Sequence, residues 1–195
     1  MAGAEEGVDR FVPAAVRGDR AAVGRVLAEI RPLIVRYCRA RIGYGERGSV
    51  SADDVAQEVC MAVLTALPRY RDQGKPFLAF VYGIAAHKVA DAHRAGGRNR
   101  SDPTADVPDE GSVEGGPEQR YLDAESRERV EALLAHLPER QREIVVLRLI
   151  VGLSAEETAE AVGSTAGAVR VAQHRALAKL KKIMSEADGH GVDTG

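Results

Sequence analysis

The chain has 195 residues, a formal charge of −2, 45% hydrophobic side chains and only 4% aromatic ones, with no tryptophan. Alanine, valine and leucine dominate, which favours helices and argues against a β-rich fold, because sheets draw on Tyr, Phe and Trp. The near-neutral total conceals a pattern: residues 164–182 hold five Lys/Arg and no Asp/Glu, residues 99–119 hold one against six, and residues 1–98 hold 15 against 11.

A local basic patch matters more to nucleic acid than a chain average. No 18-residue apolar run is present, so no membrane span is expected. The acidic N-terminus lacks a basic-then-apolar leader, and a reducing, cytoplasmic setting is the expectation. Cys38 and Cys60 fall in apolar helical patterns and read as small buried hydrophobes rather than a disulfide.

In chain order, residues 1–7 are expected to fray. Asp19 can cap a helix through about Ile42, with Val23, Val26, Leu27, Ile30, Leu33, Ile34, Tyr37, Cys38 and Ile42 as its apolar stripe and Pro32 bending or dividing it. Gly43, Gly45 and Gly48 make a loop. Ser51 is the N-cap of a second helix, to about Leu67, whose inner stripe is Val55, Val59, Ala62, Val63 and Ala66. Asp53, Asp54, Gln57 and Glu58 fall on its polar side. Early acids suit the helix dipole, but the like-charged pair Asp54 and Glu58, four apart, calls for solvent or a basic partner and leaves room for a docking face.

PRYRDQGKP, Pro68–Pro76, is a turn-rich loop carrying Arg69, Tyr70, Arg71 and Lys75. A helix from Phe77 to about Ala95 follows, with Phe77, Phe80, Val81, Ile84 and Val89 inward and His87, Lys88, Asp91 and Arg94 on the remaining arc. Aromatics beside basic residues make a platform for unstacked bases; the alternative is that Phe77 and Phe80 are core and Tyr70 is the aromatic that meets DNA. Gly96–Pro117 is rich in Gly, Pro, Asp, Glu and Ser and has no apolar face. It reads as a flexible acidic linker, its charge either keeping it off phosphate or serving solubility. The expected fold is all-α: two small helical domains, 8–97 and 118–186, joined by the linker 98–117.

The second domain opens with a helix over Glu118–Leu137, with Leu122, Val130, Leu133, Leu134 and Leu137 inward. Pro138 stands at N1 of the next, which turns Ile144, Val145, Leu147, Leu149 and Val151 inward and stops at Gly152. Ser154–Glu157 is a capping box for a short helix, Ala155–Val162. Gly163 makes the turn, and Ser164 or Thr165 caps a helix over Thr165–Met184. This is a helix-turn-helix, whose second helix can enter a DNA major groove. Val169, Ala172, Ala176, Leu180 and Ile183 share its inner face; Gly167, Arg170, His174, Ala178 and Lys181 share the outer one. Arg170 is the leading base or phosphate contact, Val171 suits a thymine methyl, Gln173 can read a base or bond to backbone, and Arg175 and Lys179–Lys182 suit phosphate. The terminal lysines also fit a solvated helix end.

No enzyme emerges: the five histidines form no metal spacing, no glycine-rich phosphate loop follows a strand, and Asp53, Asp54 and Glu58 lack a histidine to complete a metal site. No cofactor and no small-molecule substrate are expected. The residues alone leave open a stand-alone helix-turn-helix regulator or a helical adaptor that binds protein only.

DDVAQEV at Asp53, FLAFVYGIAAHKVADAHR at Phe77, LPERQREIVVLRLIVGLSAEETAEAVGST at Leu137 and AVRVAQHRALAKLKK at Ala168 stand in the order and spacing of a known family. From about Phe11 to Met184 the chain resembles the bacterial extracytoplasmic-function sigma factors of the sigma-70 family. The resemblance implies a factor that binds core RNA polymerase, recognises −10 and −35 promoter elements and promotes transcription initiation. It places Asp53, Asp54, Gln57 and Glu58 against the coiled coil of the polymerase β′ subunit. The loop Arg69–Pro76, with Tyr70, Arg71 and Lys75, resembles the one that captures a flipped −10 base. His87, Lys88, Asp91 and Arg94 fall on the helix that meets the duplex. Thr165, Gly167, Arg170, Val171, Gln173, His174, Arg175 and Lys179 would lie at the −35 element, the apolar side meeting the β flap. Relatives are often held by a membrane-linked anti-sigma factor, so such a partner is expected. Three departures stand out: Phe80 replaces the usual tryptophan, Ala86–His87 replaces an Arg-Asn pair, and Val171-Ala172-Gln173 replaces polar residues common in the recognition helix.

Overall fold

Asp19 opens the helix that organises the first half. Its Oδ1 accepts from the amides of Ala21 and Ala22 at 2.8 and 3.1 Å, occupying two donors that a helix start leaves unpaired. The computed structural model describes residues 5–43, 51–98 and 117–189. After two short helices, α1 (Glu5–Val8) and α2 (Val12–Val16), come α3 (Arg20–Ile42), α4 (Ala52–Ala66) and α5 (Phe77–Arg98). The second half holds α6 (Pro117–Ala135), α7 (Glu139–Val145), a π-helical turn (Val146–Val151), α8 (Ala155–Val162) and α9 (Ala166–Gly189). Among the described residues there is no strand. The expected glycine loop after Ile42, beyond Gly43, and the bulk of the expected linker lie outside the described residues.

Three sequence expectations are revised in the first half. Residues 5–7 are not frayed: they lead into helical turns that bury Val8, Val12 and Ala15 against α3. Pro32 does not divide α3, because it sits on the exposed face, where water can take the carbonyl it leaves unpaired. The inward set on α5 is wider than a single stripe. Phe77, Leu78, Ala79, Val81, Tyr82, Ala85 and Val89 are all buried, since α5 packs against α3, α4 and α8 at once.

In the second half the punctuation is local and strong. Ser154 Oγ accepts from the Glu157 amide at 3.0 Å and Glu157 Oε2 accepts from the Ser154 amide at 2.5 Å, so both arms of the capping box are made. Gly163 turns the chain with φ 61° and ψ 53°, a left-handed conformation that costs other residues the Cβ clash. Thr165 caps α9, its Oγ1 accepting from the Ala168 amide at 3.2 Å. Pro138 is the N-cap of α7 rather than its first helical residue. Leu149, expected inward, is 52% exposed. The π turn explains it: the Gly152 amide reaches back five residues to the Leu147 carbonyl at 3.1 Å, so the 3.6-residue phase slips and Leu149 rotates out. Val130 also faces solvent, on a helix whose outer flank nothing covers among the described residues, and the side chain of Leu122 lies outside them.

The two halves pack on each other. The apolar cluster of α2–α5 continues into Leu134, Leu137, Val145, Val146, Leu147, Val151, Leu153 and Ala176. Ile144, Ala155, Ala159 and Val169 form a second, smaller core inside the helix-turn-helix.

Candidate functional site

The polar face of α4 emerges as expected, with one exception. Asp54, Gln57 and Glu58 are exposed, but Asp53 takes a bidentate pair from Arg39 of α3, with Nε and Nη2 at 3.0 and 2.7 Å. Asp53 therefore ties α4 to α3 within the domain. Asp54, Gln57, Glu58, Met61, Ala62, Thr65 and Lys88 line one open groove of about 630 Å³. Glu58 is met by Lys88 of α5 at 2.9 Å, the basic partner that its spacing from Asp54 called for. Met61, 58% exposed in the middle of this acidic face, was missed in the sequence. An apolar side chain one turn beyond Gln57 and Glu58, off the inner stripe, was the available signal.

The loop after α4 forms a second concavity. Tyr70, Asp72, Gly74, Lys75 and Pro76 face Asp9, Val12, Pro13, Val16 and Arg17 across a cleft of about 570 Å³. Asp72 Oδ1 accepts from the Gly74 amide at 2.8 Å and shapes the turn. Asp9 Oδ1 accepts from the Phe77 amide at 3.1 Å, capping α5 from 68 residues upstream, and burial raises its pKa above the ordinary carboxylate value. Tyr70 is half-buried, its ring 5.1 Å from Phe77 and 5.0 Å from Phe80. Platform and core are thus one aromatic cluster, with Phe77 fully buried and Phe80 and Tyr70 at its surface. Arg69 and Arg71 are exposed beside it. His87, Asp91 and Arg94 are exposed along α5, Asp91 and Arg94 as an ion pair, and Lys88 is turned to Glu58.

On α9 the two faces separate as the spacing requires. Val169 and Ala176 are buried and Ala172, Leu180 and Ile183 partly so, whereas Gly167, Arg170, Val171, His174, Arg175 and Lys179 are exposed. Val171 stands 51% exposed. Arg170 reaches Glu156 of α8 at 2.6 Å, and Glu156 is held below the ordinary carboxylate value by its own backbone amide and then by that guanidinium. Gln173 turns aside: its Oε1 accepts from Arg148 Nε at 3.0 Å. Lys179 Nζ donates to the His136 carbonyl at 2.6 Å, so it also braces α9 against the end of α6. Thr165 is occupied as a cap. Of the candidate residues on this face, Arg170, Val171, His174 and Arg175 are thus exposed without a bracing or capping role.

Cys38 and Cys60 are unbridged, and burial pushes the Cys38 thiol up to about 12. Among the described residues no three His, Cys, Asp or Glu side chains are grouped to hold a metal ion, and no helix is long and apolar enough to cross a membrane.

Residues 26–99 match the family model of Sigma-70 region 2, and residues 127–180 match that of Sigma-70, region 4. The chain is 64% identical over 184 residues to the ECF RNA polymerase sigma factor SigD of Mycobacterium tuberculosis (strain H37Rv), covering 94% of this chain and 87% of the relative. It is 47% identical over 184 residues to the ECF RNA polymerase sigma factor ShbA of Streptomyces griseus, covering 92% and 96%. The solved structure of CnrH in complex with the cytosolic domain of CnrY aligns with a TM-score of 0.68 at 26% identity, over 92% of this chain and 98% of that one. A stand-alone regulator or a protein-only adaptor would not carry both regions in this order. The chain belongs to the extracytoplasmic-function sigma factors of the sigma-70 family, initiation factors without enzymatic activity that direct RNA polymerase to promoters.

Proposed function

We propose a division of labour among the faces just described. Region 2, as residues 8–97, docks core polymerase through Asp54, Gln57 and Glu58 around Met61, with Asp53 holding α4 in place behind them. The acidic rim would meet basic side chains of the β′ coiled coil and the methionine would fill an apolar gap between them. The cleft at Tyr70 and Lys75 takes an unstacked −10 base. Arg69, Arg71, His87 and Arg94 run alongside as phosphate contacts, and the aromatic cluster offers the stacking surface. Strand separation is then driven by binding, since captured bases offset lost stacking.

Region 4, as residues 118–186, reads the −35 element. Arg170 can grip guanine O6 and N7, Val171 can meet a thymine methyl, and His174 and Arg175 flank them. The observation that carries this reading is the separation of faces: α4 buries Val55, Val59 and Val63, α9 buries Val169 and Ala176, and the named side chains of both helices are left to solvent.

CnrH was captured with a cytosolic protein segment on it, which supports a cytoplasmic site of action for this chain and an anti-sigma protein as a further partner. The docking face is tested by Asp54→Lys with Glu58→Lys. Affinity for core polymerase should fall while helical content by circular dichroism stays the same; undiminished affinity would remove these residues from the face.

A further inference from the structure

One wall of the cleft at Tyr70 stands outside the stretch that matches Sigma-70 region 2. That stretch begins at residue 26, whereas Asp9, Val12, Pro13, Val16 and Arg17 come from the turns that precede α3. These turns are fixed in place: Val8, Val12 and Ala15 are buried against α3, and Asp9 Oδ1 accepts from the Phe77 amide at 3.1 Å. They give the loop Tyr70–Pro76 a firm opposite face. At about 570 Å³ the space between falls in the range of sites that enclose a small molecule, roughly 300–1,000 Å³.

The cleft carries negative charge where nucleic acid would bring more. Asp9 stands on one wall and Asp72 on the other. Burial raises the Asp9 pKa most, and the Asp72 carboxylate raises it further, so the two charges share one field. Of the two cations that line the cleft, Lys75 is paired with Glu160 at 2.7 Å, and Arg17 stands exposed. Each carboxylate has a local duty at Oδ1, toward the Phe77 and the Gly74 amide. Asparagine would serve both turns as well, so capping does not call for the charge. Oδ2 of each has no hydrogen-bond partner among the described residues.

Two acceptor-only groups ask for a donor. A flipped base is read along its Watson–Crick edge. Cytosine, adenine and guanine each present an exocyclic amino group, which a carboxylate accepts, whereas thymine carries a carbonyl oxygen at the place of the cytosine amine. A carboxylate beside that oxygen sets acceptor against acceptor, and neither group supplies a proton.

We infer that Asp9, with Asp72 facing it across the cleft, selects the captured base: one that bears an exocyclic amino group is held, and thymine is turned away. The inference rests on the reading of this cleft as the −10 base site. Tyr70 supplies the ring on which the base stacks, and the two carboxylates decide which base it is. The turns before α3 thereby take part in promoter choice, and Arg17 at their end is placed for the phosphate beside the captured base.

The test uses the full chain on core polymerase and a randomised single-stranded DNA library, the retained strands being sequenced. One position should be depleted of thymine by about tenfold against the amino-bearing bases, the weight of a hydrogen bond to a charged group. Asp9→Asn keeps the oxygen that the Phe77 amide needs and turns an amide donor to the cleft, so thymine should recover at that position while the others stay as they were. Asp9→Asn with Asp72→Asn should carry the recovery further. At the same position, a strand with cytosine should outcompete one with uracil, which lacks the amine. Thymine depletion that persists in the double variant overturns the selection, as does equal retention of the cytosine and uracil strands. Tyr70→Leu separates this from the reading beneath it. It should weaken retention of every strand, and undiminished retention would remove the cleft from the −10 site and the selection with it. Weakened retention in Tyr70→Leu beside unchanged base preference in the asparagine variants overturns the selection alone.

Discussion

Asp53 turns to Arg39, whereas Asp54, one residue on, faces solvent, and that difference separates a substitution within the domain from one on the proposed docking face of α4. Both partners of the Arg39–Asp53 pair are about a third exposed, so Asp53→Ala should cost only about 0.2–1 kcal/mol by chemical denaturation. Its effect on core binding should come through the tilt of α4, and Asp53→Asn, which keeps one acceptor, should recover part of it. Arg170 carries the sharpest specificity expectation. Its pairing with exposed Glu156 is weak enough for DNA to displace, and Arg170→Ala should cost roughly 1–3 kcal/mol of −35 discrimination. An equal loss on every promoter sequence would assign it to phosphate instead. Cys38 gives a pH prediction. Its folded pKa is raised, so its contribution is fully present below the ordinary thiol value of 9.0 and is lost as pH rises towards about 12. In the native chain at pH 8, Cys60, half-buried, should react with a thiol reagent well before Cys38 does.

Helices in this chain were legible wherever their ends are set by neighbours in sequence. Asp19, Ser51, Ser154, Gly163 and Thr165 act within four residues of the groups they satisfy, and each helix begins or ends where those residues stand. The capping box is therefore the place to test local control. Ser154→Ala should lower stability by about 1 kcal/mol, whereas Ser154→Gly should cost only a few tenths, as measured by calorimetry. Periodicity failed where the period changed. The π turn at Val146–Val151 carries Leu149 outward, and nothing in VVLRLIVG marks the extra residue per turn. The burial of Arg41 was equally hidden: an arginine near a helix end reads as a favourable dipole partner, and only Glu139 and Glu143, about 100 residues away, make its burial tolerable. The candidate faces on α4 and α9 could be read from spacing, and Met61 with them, since it falls off the inner stripe; the turn of Gln173 toward Arg148, 25 residues upstream, could not.

At the level of the whole molecule, family and two-domain organisation could be read from motif order, and the seam between the domains could not, since it is made of pairs such as Tyr37 and Glu143 separated by 106 residues. One apolar cluster runs through that seam, so the free chain should unfold in a single transition, with tryptophan-free probes such as tyrosine fluorescence and far-ultraviolet dichroism giving coincident curves. Noncoincident curves would mean that the halves melt independently. Thr158 shows what the seam demands of a side chain. It is wholly buried, and its hydroxyl has no hydrogen-bond partner among the described residues. Valine keeps the shape and removes the stranded hydroxyl, whereas serine keeps the hydroxyl and gives up a buried methyl. The position therefore asks for the outline of threonine more than for its chemistry.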